Sequence, residues 1–249
     1  MAAPFSKEGL TYGFSIYFTS ILGLAILLFS PENVQAQDSL ATYKKWHVGV
    51  KGGASFSSIS STDEQITRQR PRIDFAQGIA YGAVIRYMTE KNFGLQIEVN
   101  YVEKGWREEF TSPDSEGRPQ LDPTRFYRVN LSYLEVPILA HGYFGKRNLR
   151  IFATIGVYGG VLLSSSTQTA PSVDPNEITY EYLVPEQNEY DLGIRGGAGV
   201  AIVTKVGTFQ VEGTYSLGLN SVLDRNRTTI PSILQNNAIV GSLGYLISF

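Results

Sequence analysis

Cysteine is absent from this 249-residue chain, and histidine occurs only at His47 and His141. The missing thiols exclude a disulfide framework and thiolate metal sites, and the scarce imidazole disfavours the common zinc centres. Neither sign of charge is in clear excess, because the chain has 21 Lys and Arg and 23 Asp and Glu, for a formal net charge of -2. Without a basic surplus, nucleic acid is not an expected partner.

The residues present in excess favour strands. The chain holds 25 Gly, 15 Tyr and 13 Phe, and 43% of it is apolar. Aromatic residues are enriched in strands, and after residue 37 no apolar run has the roughly 20 residues that a spanning helix needs. The composition therefore predicts an all-β protein without transmembrane helices in its mature part.

Residues 1–36 have the features of a cleavable export signal. Lys7 precedes an apolar stretch at 16–29, which is followed by Pro31 and by the small residues at the ends of the tripeptide 34–36. This order is typical of a signal peptide. The alternative is a membrane anchor, which is disfavoured because serine and threonine dilute the apolar stretch towards its beginning.

The rest of the chain, residues 37–249, alternates repeatedly between apolar and polar side chains. Apolar residues occupy the even positions of 46–56 apart from Gly52 and the odd positions of 93–101, and the same period of two returns near the C terminus. Such a period is the signature of strands with one apolar face. Eight strands are predicted, near 46–56, 77–89, 93–109, 128–144, 149–164, 189–203, 208–218 and 237–249.

The connections between these strands alternate in length. Long connections are expected at 57–76, 110–127, 165–188 and 219–236, and short ones at 90–92, 145–148 and 204–207. Transmembrane β-barrels place short turns on the periplasmic side and long loops outside. Closure is required because an open sheet edge in lipid leaves backbone groups unpaired. We therefore predict one domain, an eight-stranded antiparallel up-and-down barrel in the outer membrane.

Three segments of the chain resemble a known family. They are the opening residues 48–53, the central residues 133–139 and the C-terminal residues 244–249. With them the chain resembles the PorT-like outer membrane β-barrels of the Bacteroidetes type, which share the eight-stranded architecture of OmpX and OmpA. The resemblance implies an outer membrane location and a link to protein secretion, and it brings no catalytic residues.

Charged residues gather on the face opposite the apolar one. An eight-stranded barrel is just wide enough for its own side chains, and buried charges must be paired. We therefore predict a packed polar lumen without a diffusive pore, crossed by an ion-pair network. The alternative is a proton or substrate path through the same groups. The predicted network consists of Lys51, Arg86, Glu98, Lys104, Glu135, Asp191, Arg195 and Glu212.

Pro137 falls on the inward side of the fourth predicted strand. Proline removes a ladder donor and is found at edges or bulges. Since a closed barrel has no edge, the sequence predicts a bulge or a missing bond there, and the alternative is a strand that ends early.

Catalysis is not indicated. Both histidines fall on the periplasmic side, and no spacing places either beside a nucleophile. The sequence gives no catalytic, metal or cofactor site. Tyr180, Glu181 and Tyr182 lie in an acidic segment without Lys or Arg and are candidates for a loop interaction. A solvated extension of two strands is the favoured interpretation of this segment, because charge clusters usually face water.

Together these patterns predict a monomeric, non-enzymatic barrel with a structural or interaction role at the cell envelope. Its expected partners are outer membrane lipid and lipopolysaccharide, with envelope or secretion-system proteins as further candidates. Two alternatives from other classes remain, a lipid-modifying enzyme of the outer membrane and a soluble lipocalin-like barrel with an apolar lumen.

Overall fold

The eight predicted strands close into a barrel. A computed structural model of the chain describes residues 45–61, 72–113, 115–145, 148–173, 189–222 and 234–249. The strands are β1 Trp46–Ser61, β2 Arg72–Met88, β3 Phe93–Pro113, β4 Pro119–Phe144, β5 Leu149–Thr169, β6 Tyr190–Val203, β7 Thr208–Gly218 and β8 Leu234–Ser248. Each pairs antiparallel with its sequence neighbours, and β8 pairs with β1, so the predicted fold class is confirmed. The predicted signal peptide lies outside the described residues.

The predicted strand ends agree with the structure on the side of the short turns, and on the other side they fall short in every strand except β6 and β7. The loop predicted at 110–127 is wrong, because β3 continues to Pro113 and β4 begins at Pro119. β5 likewise continues to Thr169. The barrel wall therefore extends further on the side of the long connections than the alternation indicates. Within the described ranges, no helix combines the length and apolar content needed to cross a bilayer.

The outer wall is apolar and the charges lie inside. The outward side chains of β3 from Phe93 to Val99 are 40–48% exposed, whereas the inward Gln96 and Glu98 are almost fully buried. Outward Leu134 and Ile138 continue this band on β4. Nine to eleven residues per strand suffice to cross the apolar slab of a bilayer, and the band on β3 is nine residues long when it is followed to the outward, half-buried Tyr101. The predicted orientation of apolar and charged faces is confirmed.

Aromatic pairs border the apolar band. Trp46 and Tyr87 meet near the short turns with ring centroids 4.7 Å apart, and Phe209 and Tyr245 pack there at 4.9 Å. On the opposite border the ring of Tyr81 stacks on that of Tyr101 at 5.0 Å. Rings with one polar edge suit the boundary between hydrocarbon and water, and outer membrane barrels carry such girdles.

β4 continues through Pro137, so the alternative of an early strand end is wrong. Pro137 pairs with Tyr158 of β5. On its other side, pairing with β3 passes from Ile97–Ile138 directly to Asn100–Glu135 without a change of register. The proline is therefore accommodated by a short interruption of one ladder, which is the missing bond that the sequence predicts.

A charge placed in the apolar band should destabilise the barrel. Ile97→Arg puts a guanidinium on the lipid-facing wall, and we expect a loss of about 2–4 kcal/mol in the free energy of unfolding. Thr111→Arg, on the same face of β3 beyond the band, serves as the control and should change stability little. Urea unfolding in lipid vesicles measures both, and equal effects of the two variants would contradict the assigned band.

Candidate functional site: the lumen and the outer rim

The predicted network residues all point into the lumen. Seven of them are 5% exposed or less, and the side chain of Lys51 is 9% exposed. They come from every strand except β5 and β8, because each lies on the inward parity of its strand.

Lys51 forms one centre of the network. Its Nζ lies 2.8 Å from Glu98 Oε2 and 3.3 Å from Glu212 Oε2, so β1 is joined to β3 and β7 across the lumen. Glu98 also accepts hydrogen bonds from the amides of Gln96 at 2.5 Å and Asn100 at 2.7 Å. One ammonium group thus sits between two carboxylates, one of which is further hydrogen-bonded.

Lys104 forms the second centre. Its Nζ lies 2.6 Å from Glu135 Oε1 and 2.8 Å from Asp191 Oδ2, and both Lys104 and Glu135 have fully buried side chains. Arg195 pairs with the other oxygen of Glu135 and donates through Nε to Ser216 Oγ at 2.7 Å. The ring of Tyr158 lies under both cations, 4.6 Å from Lys104 Nζ and 5.0 Å from the Arg195 guanidinium.

A small cavity connects the two centres. Lys51 and Arg195 both line it, and it measures about 20 Å³. That volume holds about one water molecule. The two centres therefore lie in adjacent layers of one packed interior.

Arg86 does not form the ion pair that equal numbers of charges suggest. Among the described residues it donates to two amide oxygens instead, through Nε to Gln96 at 2.7 Å and through Nη2 to Gln210 at 3.1 Å. Gln96 in turn donates to Glu98, so a neutral amide links the guanidinium to the carboxylate. The two glutamines, like Tyr158, lack a formal charge at neutral pH, which is why a search for charged inward residues misses them.

An apolar cluster fills the lumen beyond the ion pairs, towards the long connections. Trp106, Leu131 and Tyr133 are its largest fully buried members. The sequence prediction of a wholly polar interior is wrong for this half of the barrel. The remaining buried members of the cluster are Ile59, Phe110, Tyr127, Val129, Ala170, Val173 and Val222.

Both histidines lie at the opposite end of the lumen, beside the short turns. His47 and His141 line a cavity of about 20 Å³ together with Arg86 and Arg150. His141 packs on Phe152 with ring centroids 5.3 Å apart. The cavity has room for about one water molecule and is too small for an acyl chain or a peptide. In the part of the chain that the structure describes, no three His, Asp or Glu side chains are arranged to hold a metal ion.

The predicted loop residues Tyr180, Glu181 and Tyr182 lie outside the described residues. The outer rim is described in the β3–β4 hairpin, where the register shifts between Glu109 and Phe110. Asp122 holds the resulting bulge, since its carboxylate accepts from the Thr124 backbone N–H at 3.0 Å and from Ser112 Oγ at 2.9 Å. The hairpin is therefore an ordered platform rather than a loose loop.

Comparison with known families gives one assignment. Residues 35–224 match the family described as outer membrane protein beta-barrel domain. The match covers most of the chain and includes β1 to β7. A comparison with curated proteins gives no match.

Solved structures of outer membrane proteins are similar to the chain at low identity. OprG from Pseudomonas aeruginosa is 11% identical, with a TM-score of 0.42 over 82% of this chain and 97% of that chain. The outer membrane protease OmpT from Escherichia coli is 11% identical, with a TM-score of 0.43 over 85% and 99%. Ail, the attachment invasion locus protein of Yersinia pestis, is 10% identical, with a TM-score of 0.38 over 82% and 99%. These likenesses are too distant to assign an activity.

Removal of the Lys104 ammonium should test whether the network stabilises the barrel. Lys104→Met leaves Glu135 and Asp191 buried with less compensation, and we expect a loss of about 3–5 kcal/mol in the free energy of unfolding. Adding Asp191→Asn should recover part of the loss, because it removes one of the carboxylates. Lys205→Met, in an exposed short turn, is the control. A Lys104→Met barrel as stable as this control would show that the network contributes nothing.

Proposed function

The chain belongs to the outer membrane protein β-barrel domain family, and we propose that it acts there as a non-enzymatic scaffold for protein interactions and not as a pore. The observation that carries this proposal is the filled lumen. Two layers of ion pairs and an apolar cluster occupy the interior, from Lys51 through Lys104 to Trp106. The outer membrane location is the premise, and the role within that membrane is the proposal.

The packed interior argues against diffusive transport. Eight strands leave a lumen that side chains fill. The cavities beside Lys51 and beside His141 measure about 20 Å³ each, which suits single waters. A path for solutes would require Lys104 and Trp106 to leave their contacts together, and Lys104 alone is held by two carboxylates.

The environment of the histidines argues against hydrolysis. A general base must lie within reach of a nucleophile and of the substrate. His141 is buried among Arg86, Arg150 and aromatic rings, in a cavity that no acyl chain or peptide could enter. We therefore propose that both histidines serve packing and hydrogen bonding.

The outer hairpin supports an interaction role. β4 is 26 residues long, well beyond what the apolar slab requires, so β3 and β4 project past the lipid. Arg125 secures the base of the projection by donating to the Thr111 carbonyl at 2.6 Å, and the Ser172 carbonyl accepts from it at 3.3 Å. Rigidly mounted extensions of this kind commonly carry binding functions.

The resemblance to PorT in residues 48–53, 133–139 and 244–249 extends the proposal to protein secretion. In this view the partners are envelope or secretion-system proteins, the surrounding lipid includes lipopolysaccharide, and the barrel is a monomer. Residues 1–36 would direct export and be removed. The acidic segment with Tyr180, Glu181 and Tyr182 would add to the outer interaction surface.

Single-channel recording tests the closed lumen. The refolded protein in planar bilayers should give no large stable openings, because its interior is occupied by packed side chains. Trp106→Gly with Tyr133→Gly empties part of the apolar cluster and serves as the control for detecting leakage. Large openings of the unmodified protein would overturn the scaffold proposal in favour of a channel.

Photocrosslinking tests the interaction surface. A photoreactive residue in place of Leu121, on the outer hairpin, should give a discrete protein adduct in intact cells. The same residue in place of Val206, which is 70% exposed in a short turn, is the matched control and should give none. Adducts only at position 206 would place the interaction on the periplasmic side, and no adduct at either position would leave a purely structural barrel.

A further inference from the structure

The ladder between β2 and β3 is split near the outer border of the apolar band. Their register shifts between Phe75 and Ala80, while β2 remains paired with β1 through Ala76–Ser57 and Gln77–Phe56. Backbone groups that lose their ladder partner are capped by side chains. Arg128 donates to the carbonyl of Gln77, and Glu103 Oε2 accepts from the Ile79 N–H at 3.0 Å.

The split opens a groove on the outer wall. Its volume is about 540 Å³, far larger than the lumenal cavities. Phe56 and Ile239 line one side, and they are the last outward apolar residues of β1 and β8 before Ser58 and Asn237. The lining residues are Phe56, Asp74, Phe75, Ala76, Gln77, Arg107, Glu109, Arg128 and Ile239.

The groove therefore has two chemically different parts. Phe56, Phe75 and Ile239 give it an apolar floor that is half exposed. Arg107 and Arg128 line the polar side of the groove and lie beyond the apolar band of β3 and β4. This is the level at which hydrocarbon gives way to the headgroups of the outer leaflet.

Two arginines, Arg107 and Arg128, line this polar part, and the Arg107 guanidinium packs on the Phe126 ring at 4.5 Å while donating to the Pro123 carbonyl at 2.8 Å. Arg107 of β3 pairs directly with Arg128 of β4 in the register, and like charges in that relation repel. Arg107 Nε lies 3.3 Å from Glu109 Oε1, which offsets its charge. Arg128 has no carboxylate within ion-pair distance among the described residues, and its buried Nε has no hydrogen-bond partner there. An anion bound in the groove beside Arg128 would offset its charge and relieve the repulsion.

We propose that this groove binds a phosphate-bearing acyl lipid of the outer leaflet. Arg128, assisted by Arg107, holds the phosphate, and an acyl chain lies over Phe56, Phe75 and Ile239. Arginine is suited to phosphate because its planar fork donates two parallel hydrogen bonds. The inference uses the membrane location alone and is independent of the scaffold role.

The charge balance of the groove decides between a lipid and free phosphate. Asp74 and Glu109 offset the two arginines, so the groove carries no net formal charge to hold a small anion by itself. The apolar floor supplies the additional binding free energy only to a ligand with a hydrocarbon part. The groove is therefore expected to select an amphiphile over inorganic phosphate.

Native mass spectrometry of the refolded full-length barrel tests the site with defined probes. The unmodified protein should bind one diphosphorylated lipid A at least about tenfold more tightly than the dephosphorylated lipid, since the charge-assisted hydrogen bonds are lost with the phosphates. Arg128→Gln should abolish most of this preference. Arg118→Gln is the matched control, because that arginine lies on the same hairpin but outside the groove and pairs with Glu116.

Heat-dependent gel mobility verifies the folding of each variant. The second variant is Arg107→Gln, which leaves the hydrogen bond from Arg128 to the Gln77 carbonyl in place. It should weaken the preference less than Arg128→Gln. Equal binding of the two lipids would overturn the proposal. Complete displacement by millimolar inorganic phosphate would indicate a free-phosphate site instead. Binding that needs Mg²⁺ and survives Arg128→Gln would assign the carboxylates Asp74 and Glu109, and not the arginines, as the lipid contacts.

Discussion

Every backbone amide within the hydrocarbon must find a protein partner, and the rest of this structure depends on that constraint. A sheet satisfies it only by closing, because each free edge leaves a row of N–H and C=O groups unpaired at a cost of several kcal/mol each. Here β8 pairs with β1 from Ser248 opposite His47 to Leu234 opposite Ser61. Closure with eight strands fixes the lumen at a width that side chains fill. The apolar wall and the occupied interior are thus two consequences of one requirement.

The filled lumen in turn determines how charges are arranged inside it. A buried charge is tolerated when it is paired and hydrogen-bonded, and each lysine centre meets this condition with two carboxylates. Lys51 lies between Glu98 and Glu212, and Lys104 lies between Glu135 and Asp191. Apart from the pair of Lys104 with Glu135 on the adjacent β4, these contacts join strands that are not neighbours in the ring. The network therefore connects non-adjacent parts of the wall through the lumen, which the backbone ladders between neighbouring strands cannot do.

Much of this could be predicted from sequence, and the failures have one physical cause. Inside the bilayer the outward positions are apolar, so the odd residues of β3 from Phe93 to Tyr101 reveal the strand. Beyond the bilayer the wall faces water, and the apolar residues move to the even, inward positions, as at Trp106 and Phe110. The phase of the alternation inverts, and β4 shows the same change between Tyr133 and Leu134. Read with a single phase, the outward apolar pattern stops before the strands do, so residues 110–127 are predicted as a loop. The inversion itself is the signal that would have located the apolar cluster.

The same border explains where the wall can open. Within the hydrocarbon, a split between two strands would leave backbone groups without any partner, whereas at the headgroup level side chains and water can take their place. The β2–β3 ladder accordingly separates between Phe75 and Ala80, and Arg128 and Glu103 reach over to cap the exposed backbone. The caps bring charged groups to the edge of the apolar floor. The β2–β3 ladder is thus closed within the hydrocarbon and split at its border, where guanidinium groups lie beside lipid-facing aromatic rings. This arrangement suits an anion that carries a hydrocarbon part.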